Sequence, residues 1–138
     1  MKKLFVSVPM GGRTEKDILY SMNKMHKLAE IVFNQELEMI ESYVPEYKDM
    51  PSLYGLGNSI VKMADADYYI GISDLPYCAR LYKGCNIENI IAEDYKIEKF
   101  LLPLLFILPP DEAEFEKSCR KELGIQAWVI FAMTIDLK

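Results

Sequence analysis

The chain has 138 residues, of which 51% are hydrophobic and 12% aromatic, a content that predicts one globular domain and excludes a disordered chain. Its formal net charge is −5, and no run of Lys or Arg forms a basic patch, so no nucleic-acid partner is expected. The longest apolar run, residues 100–108, is much shorter than the ~20 residues of a membrane span, so no membrane partner is expected either.

The cysteines also limit the class of protein. Cys78, Cys85 and Cys119 are an odd number and have no CxxC spacing. This pattern predicts neither a disulfide framework nor a zinc site, and it is typical of the reducing cytoplasm. Residues 1–12 are similar to a signal peptide only superficially, because the apolar stretch is short and an amphipathic helix follows it.

The apolar pattern alternates between strand-like and helix-like segments. Short, near-continuous apolar runs predict strands, whereas apolar residues at three- and four-residue spacings predict helices. In chain order, the predicted elements are a strand at 3–8, a helix at 14–35, a strand at 37–44, a helix at 52–66, a strand at 67–73, a helix at 85–97, a strand at 99–108, a helix at 109–124 and a strand at 127–137.

Individual residues refine the helices. Thr14 is expected to cap the first helix, because a hydroxyl there accepts a hydrogen bond from the first turn. His26, the single histidine, lies in the middle of that helix, which favours a structural role over catalysis. The residues expected to face inward in the second and third helices are Leu56, Ile60, Met63, Ile87, Ile90, Ile91 and Tyr95.

Strands that alternate with helices predict an α/β fold. Because each strand is a near-continuous apolar run, we expect a parallel sheet whose two faces are both covered by helices. Ligands of such sheets bind outside the carboxyl ends of the strands. The candidate functional residues are therefore those that follow the first, third and fourth strands.

The stretch FVSVPMGGR, residues 5–13, ends the first predicted strand. It matches neither the P-loop pattern nor the dinucleotide fingerprint, so common ATP and NAD sites are not expected. A tight turn explains Gly11 and Gly12, whereas a bound anion explains these glycines together with Arg13. Both alternatives stay open from this stretch alone.

Glu88 is the candidate catalytic carboxylate. It lies one turn into the helix that begins near Gly84, at the end of the sheet where ligands bind. The dipole of that helix would help to keep the carboxylate ionised, as a nucleophile requires. The alternative is a surface carboxylate that makes a local ion pair.

Three segments, at residues 4–13, 56–73 and 82–97, together resemble the nucleoside 2-deoxyribosyltransferase-like superfamily. They read LFVSVPMGGR, LGNSIVKMADADYYIGIS and YKGCNIENIIAEDYKI. The resemblance covers roughly residues 3–105, and it is strongest to a group of small bacterial and phage proteins with a Ser-x-Pro-Met-x-Gly loop. It implies a flavodoxin-like, Rossmann-like three-layer sandwich with about five mostly parallel strands.

The resemblance also implies roles for individual residues. In characterised members, the glutamate of a Gly-x-x-x-Glu arrangement attacks the anomeric carbon of a deoxynucleoside, which corresponds to Glu88 here. Tyr20 in the first helix corresponds loosely to a tyrosine that positions this glutamate. The substrate-binding residues implied by the resemblance are Ser7, Pro9, Met10, Gly11, Gly12, Arg13, Ser59, Asp67, Gly84 and Cys85.

The resemblance has specific implications for Arg13 and Ser59. By analogy with the 5′-monophosphate N-glycosidases of the superfamily, Arg13 would approach the ribose or its phosphate. Characterised members carry an aspartate eight residues before the position of Asp67, and this chain has Ser59 there. A serine cannot serve as a carboxylate acid or base, although it can hydrogen-bond a sugar.

The first functional hypothesis is an enzyme that cleaves or transfers the N-glycosidic bond of a nucleoside or nucleotide, with no metal or organic cofactor. A second is a module that binds such a molecule without turnover, and a third is a protein whose loops are purely structural. The base, the sugar and the presence of a phosphate stay open. Because superfamily members complete their sites across subunits, we expect a homo-oligomer, and the segment at 126–138 is either a last strand or a subunit contact.

Overall fold

The computed structural model describes residues 1–47, 49–74 and 83–122. Its elements, in chain order, are β1 (Lys2–Val6), α1 (Glu15–Val32), β2 (Leu37–Met39), a 3-10 turn (Pro45–Tyr47), α2 (Ser52–Met63), β3 (Tyr68–Ile72), α3 (Lys83–Asp94), β4 (Glu98–Leu102), a 3-10 turn (Leu104–Phe106) and α4 (Pro110–Glu122). Within these ranges, no helix is long and apolar enough to cross a membrane. The predicted strand at 127–137 lies outside the described residues.

The strands form one parallel sheet in the order β2-β1-β3-β4. Leu4 of β1 lies opposite Met39 of β2 on one side and Tyr68 of β3 on the other. This confirms the predicted α/β fold, with four strands among the described residues instead of about five. From β1 the chain adds β2 on one side of the sheet, and β3 and β4 are then added on the other side. A ligand crevice is expected where the direction of strand addition reverses, between β1 and β3.

Both faces of the sheet are covered. Leu4 and Val6 pack in the larger core with the buried side of α1, whereas Phe5 points to the opposite face and joins Met63 of α2 and Ala92 of α3. Successive residues of a strand point to opposite faces, so a strand buried on both sides reads as a continuous apolar run. Burial of both faces of the sheet therefore explains the apolar runs in the sequence.

Polar contacts fix the ends of the helices. Thr14 caps α1 as predicted, with its side chain accepting a hydrogen bond from the Asp17 backbone N–H at 3.1 Å. In α4, Arg120 is fully buried, and it pairs with Asp74 at 2.8 Å and with Glu116 at 2.9 Å. The Arg120–Asp74 pair ties α4 to the carboxyl end of β3.

The inward face predicted for α3 is correct at Ile91, which packs against the smaller core, and wrong at the other predicted residues. Ile90 and Tyr95 are 58% and 78% exposed, while Cys85, Glu88 and Ala92 are buried. The exposed residues and the buried residues are both spaced three or four positions apart, as on one face of a helix. The exposed residues are the more apolar ones, so hydrophobicity alone predicts the wrong face. The buried carboxylate on the inner face is the reason that the apolar count fails here.

Other sequence predictions need smaller corrections. Ile60 of α2 is exposed and not inward. The strand predicted at 99–108 ends at Leu102, because Pro103 has no N–H with which to continue the ladder. The strand predicted at 37–44 is likewise shorter and ends at Met39.

The cysteine pattern is also corrected. Cys85 is a free, buried thiol. Cys119 is disulfide-bonded, a bond that the odd cysteine count and the absence of a CxxC spacing do not indicate.

Gly71 allows α3 to approach β3 closely. A Cβ at this position would lie 2.6 Å from Oδ1 of Asn89 and 2.8 Å from the ring of Tyr69. The Tyr69 hydroxyl donates a hydrogen bond to that same Oδ1 atom, and the Asn89 side-chain N–H donates to the Ile72 carbonyl at 2.9 Å. Since Asn89 is adjacent to Glu88, this contact also fixes the distance between the catalytic candidate and the sheet.

We expect Gly71→Ala to destabilise the fold by about 1–3 kcal/mol, because the added methyl group overpacks the β3–α3 contact. Gly57→Ala is the matched control, since a Cβ there meets no atom within 4 Å. In the middle of α2, that substitution should stabilise the fold by ~0.5–1 kcal/mol. Urea unfolding of both variants measures the difference, and equal midpoints for Gly71→Ala and the wild type would contradict the close approach.

Candidate active site

A cavity of about 630 Å³ lies at the carboxyl end of β1. Its walls come from residues 8–13 after β1, from several residues between 42 and 56, and from Ser59 of α2. The first turns of α3 complete them with Lys83, Gly84, Cys85, Ile87 and Glu88. This volume is within the range of small-molecule sites, ~300–1,000 Å³. The cavity therefore occupies the position where the strand order predicts a ligand crevice.

Glu88 lies in the wall of this cavity and is only 7% exposed. Its Oε1 atom accepts a hydrogen bond from the Ser7 hydroxyl at 2.6 Å, and the Ser59 hydroxyl also hydrogen-bonds the carboxyl group. Ser7 is itself held by its backbone N–H, which donates to the Ile70 carbonyl at 2.8 Å. The end of β1, α2 and α3 thus meet at one carboxyl group.

Burial raises the pKa of Glu88, and the hydrogen bonds from Ser7 and Ser59 act in the opposite direction. The net shift of the pKa is upward because loss of solvation is the largest of these contributions. The alternative interpretation, a surface carboxylate in a local ion pair, is wrong. A buried carboxyl group in a cavity wall is typical of a functional site.

The neighbouring acidic groups stay neutral near pH 7. Burial, together with the charge of Glu88, raises the pKa of the Cys85 thiol to about 12. Burial also raises the pKa of Tyr69 above its ordinary value. Cys85 lines the cavity as predicted, but as a protonated thiol it is a poor nucleophile.

The glycine loop contains a turn. The Met10 carbonyl accepts a hydrogen bond from the Arg13 backbone N–H at 3.1 Å, and Gly12 has a φ of 68°, a conformation that favours glycine. A Cβ at Gly11 would meet no atom within 4 Å. The turn explains Gly12, and both glycines line the cavity.

Arg13 does not offer its guanidinium to a ligand. Two nitrogens of this group contact the Glu112 carboxylate, at 2.9 Å from Nε and 2.7 Å from Nη2. Its Nη1 donates to the Pro9 carbonyl at 2.8 Å, and Nη2 also donates to the Ser21 hydroxyl at 2.7 Å. Arg13 lines the cavity, but its hydrogen bonds go to protein partners: its side chain, 2% exposed, holds the loop to α1 and α4. The predicted contact with a sugar phosphate stays a prediction.

Tyr20 and Asp67 are not part of the site. Tyr20 is 41% exposed, and its ring contacts the Lys24 ammonium group instead of Glu88. Asp67 precedes β3, and its Oδ2 atom accepts a hydrogen bond from the Lys3 backbone N–H at 2.8 Å. That contact lies at the amino end of the sheet, about 15 Å from the carboxyl ends of five-residue strands.

The remaining predicted site residues separate into two groups. Pro9, Met10, Gly84 and Ser59 line the cavity. Ser7 is 1% exposed and does not line the cavity, and its hydroxyl donates a hydrogen bond to Glu88.

Sequence reasoning missed several residues of the site. Tyr43 and Tyr47 line the cavity from the loop that precedes α2. Ser21 was detectable, because it is a polar residue on the buried face of α1, next to Met22. Nothing in the sequence pattern indicates Glu112, since its partner Arg13 is 99 positions away.

His26 has the structural role that was predicted. Its Nε2 atom lies 2.7 Å from the Leu37 carbonyl, which joins α1 to β2. Within the described part of the chain, no group of three or more His, Cys, Asp or Glu residues is arranged to hold a metal ion.

No family model, no curated protein and no solved structure matches the chain. The superfamily resemblance of the three segments therefore stays a prediction.

We expect the stability of the wild type to fall, relative to that of Glu88→Gln, as the pH rises above the ordinary glutamate value of 4.5. The reason is that the folded pKa is raised, so the unfolded chain releases this proton first and ionisation favours unfolding. Urea unfolding of both proteins from pH 4 to pH 8 isolates the contribution of Glu88. A difference that is constant with pH, or that changes in the opposite direction, would contradict the buried state of this carboxyl group.

Proposed function

We propose that the protein is an enzyme that cleaves or exchanges the N-glycosidic bond of a nucleoside or nucleotide, with Glu88 as the nucleophile. The observation that carries this proposal is the buried carboxyl group of Glu88 in the wall of a cavity of about 630 Å³, oriented by the Ser7 hydroxyl at 2.6 Å. The resemblance of three segments to the nucleoside 2-deoxyribosyltransferase-like superfamily supports it.

The reaction would proceed by double displacement. A Glu88 oxygen forms a bond to C1′ of the sugar while the C1′–N bond breaks, and the bonding electrons leave with the base, whose ring nitrogen takes a proton. The product is a glycosyl ester of Glu88. Water or a second base then attacks C1′, and the ester bond breaks to regenerate the carboxylate.

The surroundings of Glu88 suit this role. A buried carboxylate has few water molecules to lose before it attacks, and the fixed Ser7 and Ser59 hydroxyls take the place of solvent around it. The hydroxyls also favour the ionised form, which is the nucleophilic one.

The cavity also contains surfaces for a flat base. Tyr43 and Tyr47 lie in the wall, and aromatic rings stack on the faces of nucleobases. Met10 and Leu56 add apolar area. We propose that the base binds on this side of the cavity, while the sugar lies next to Glu88.

One observation favours a second candidate function. Ser59 occupies the position where characterised members of the resembled superfamily carry an aspartate, and its hydroxyl hydrogen-bonds Glu88. Without that second acid, the chain would bind a nucleoside or nucleotide without turning it over. The proposed homo-oligomer also depends on the resemblance.

Base release separates the two candidates. The protein is incubated with deoxynucleosides, ribonucleosides and their 5′-monophosphates, with and without a second free base, and free base is measured by chromatography. We expect release by the wild type, and a loss of about 10³-fold or more in Glu88→Gln, since the nucleophile is removed.

Ser7→Ala should lower the rate by about 10- to 100-fold, because a misplaced nucleophile reacts slowly. Ser42→Ala is its matched control: Ser42 is also buried at the cavity, but its hydroxyl donates to the Val6 carbonyl and not to Glu88. Thermal stabilisation by a nucleotide without base release would favour the binding module. Equal rates for Glu88→Gln and the wild type would exclude the proposed mechanism.

A further inference from the structure

We infer that Glu112 is a specificity-determining residue that makes the cavity select a nucleoside without a phosphate over its 5′-monophosphate. The inference rests on the proposed function, which leaves both forms of the substrate open. It depends on the ion pair between Glu112 and Arg13. Arg13 is a cation in the cavity wall and directly follows the two glycines of the loop.

The Arg13 guanidinium is already bound as it would be by a phosphate. The Glu112 carboxylate accepts hydrogen bonds from Nε at 2.9 Å and from Nη2 at 2.7 Å, which is the paired geometry that arginine uses with oxyanions. The remaining donors reach the Pro9 carbonyl, the Asp17 carbonyl and the Ser21 hydroxyl. A phosphate could take this paired position on the guanidinium only by displacing Glu112.

That displacement is unfavourable. The Arg13 side chain is 2% exposed and the Glu112 side chain 25% exposed, so separating them leaves a carboxylate largely removed from water and without its partner. Ser21 adds to the cost, because its hydroxyl joins Arg13 to the Ile107 carbonyl, to which it donates at 2.7 Å. The guanidinium is therefore fixed in the protein on three sides.

The other charged residues of the wall do not supply a phosphate site. In the described part of the chain they are Lys83 on α3, Glu15 on α1 and Glu88. Lys83 and Glu15 offset each other, and Arg13 is offset by Glu112, so this wall carries no net positive charge. A 5′-monophosphate carries close to two negative charges at pH 7, because the second pKa of a phosphate monoester is about 6. Its entry next to Glu88 would be repelled.

Binding measurements test the inference. Titration calorimetry of the full chain compares each deoxynucleoside with its own 5′-monophosphate, for the four common bases. We expect the wild type to bind the nucleoside more tightly by about tenfold or more, the value of one charge-assisted hydrogen bond. Glu112→Gln removes the charge that occupies Arg13, and it should move the ratio of the two dissociation constants by about tenfold toward the monophosphate.

Glu15→Gln is the matched control. It removes the same charge from the cavity wall, but Glu15 is not a partner of Arg13, so the ratio should change by about threefold or less, as expected for an exposed charge in salt solution. An equal change in both variants would overturn the inference, since it would mean that only the total charge matters.

Two further outcomes also overturn it: a wild type that prefers the monophosphate, and a wild type that binds neither form. If Glu112→Gln does not fold, a wild type that prefers the monophosphate still overturns the inference. Because binding is measured and not turnover, failure of the proposed reaction is distinguishable. A chain that prefers nucleosides but releases no base contradicts the proposed reaction and supports the selectivity.

Discussion

The hydrogen bond from the Ser7 hydroxyl to Glu88, 2.6 Å long and buried, is the contact on which the account of this site depends. It joins the end of β1 to the first half of α3, two elements far apart in the chain. It forms because Ser7 continues the pairing of β1 with β3 for one residue, and because Gly71 lets α3 lie close to the sheet. The carboxyl group is thereby removed from water and given a fixed direction, which a surface glutamate lacks.

Two buried polar clusters flank the glycine loop, one around Glu88 and one around Arg13. On one side, Ser7 and Ser59 hold the carboxyl group that faces the cavity. On the other side, Glu112 holds Arg13, which in turn holds the Pro9 carbonyl and the loop. Burying polar and charged groups is unfavourable unless they have partners, and the hydrogen bonds within each cluster provide those partners.

The sequence predicted what depends on local pattern and missed what depends on distant contacts. The parallel sheet, the Thr14 cap and the position of the glycine loop follow from periodicity and from capping chemistry. The inward face of α3 could not be predicted, because its buried position is occupied by Glu88 and apolar residues lie on the exposed side. The role of Arg13 could not be predicted either, since the tertiary fold alone brings Glu112 to it. Functional sites are where such local rules are expected to fail.

The stereochemistry of the product tests the central claim most directly. When a β-nucleoside is cleaved in water that contains methanol, methanol competes with water for the second displacement, and NMR identifies the anomer of the methyl glycoside. Attack by Glu88 followed by methanol inverts C1′ twice, so the account predicts the β anomer. The α anomer, which results from direct displacement of the base, would contradict a glycosyl ester of Glu88.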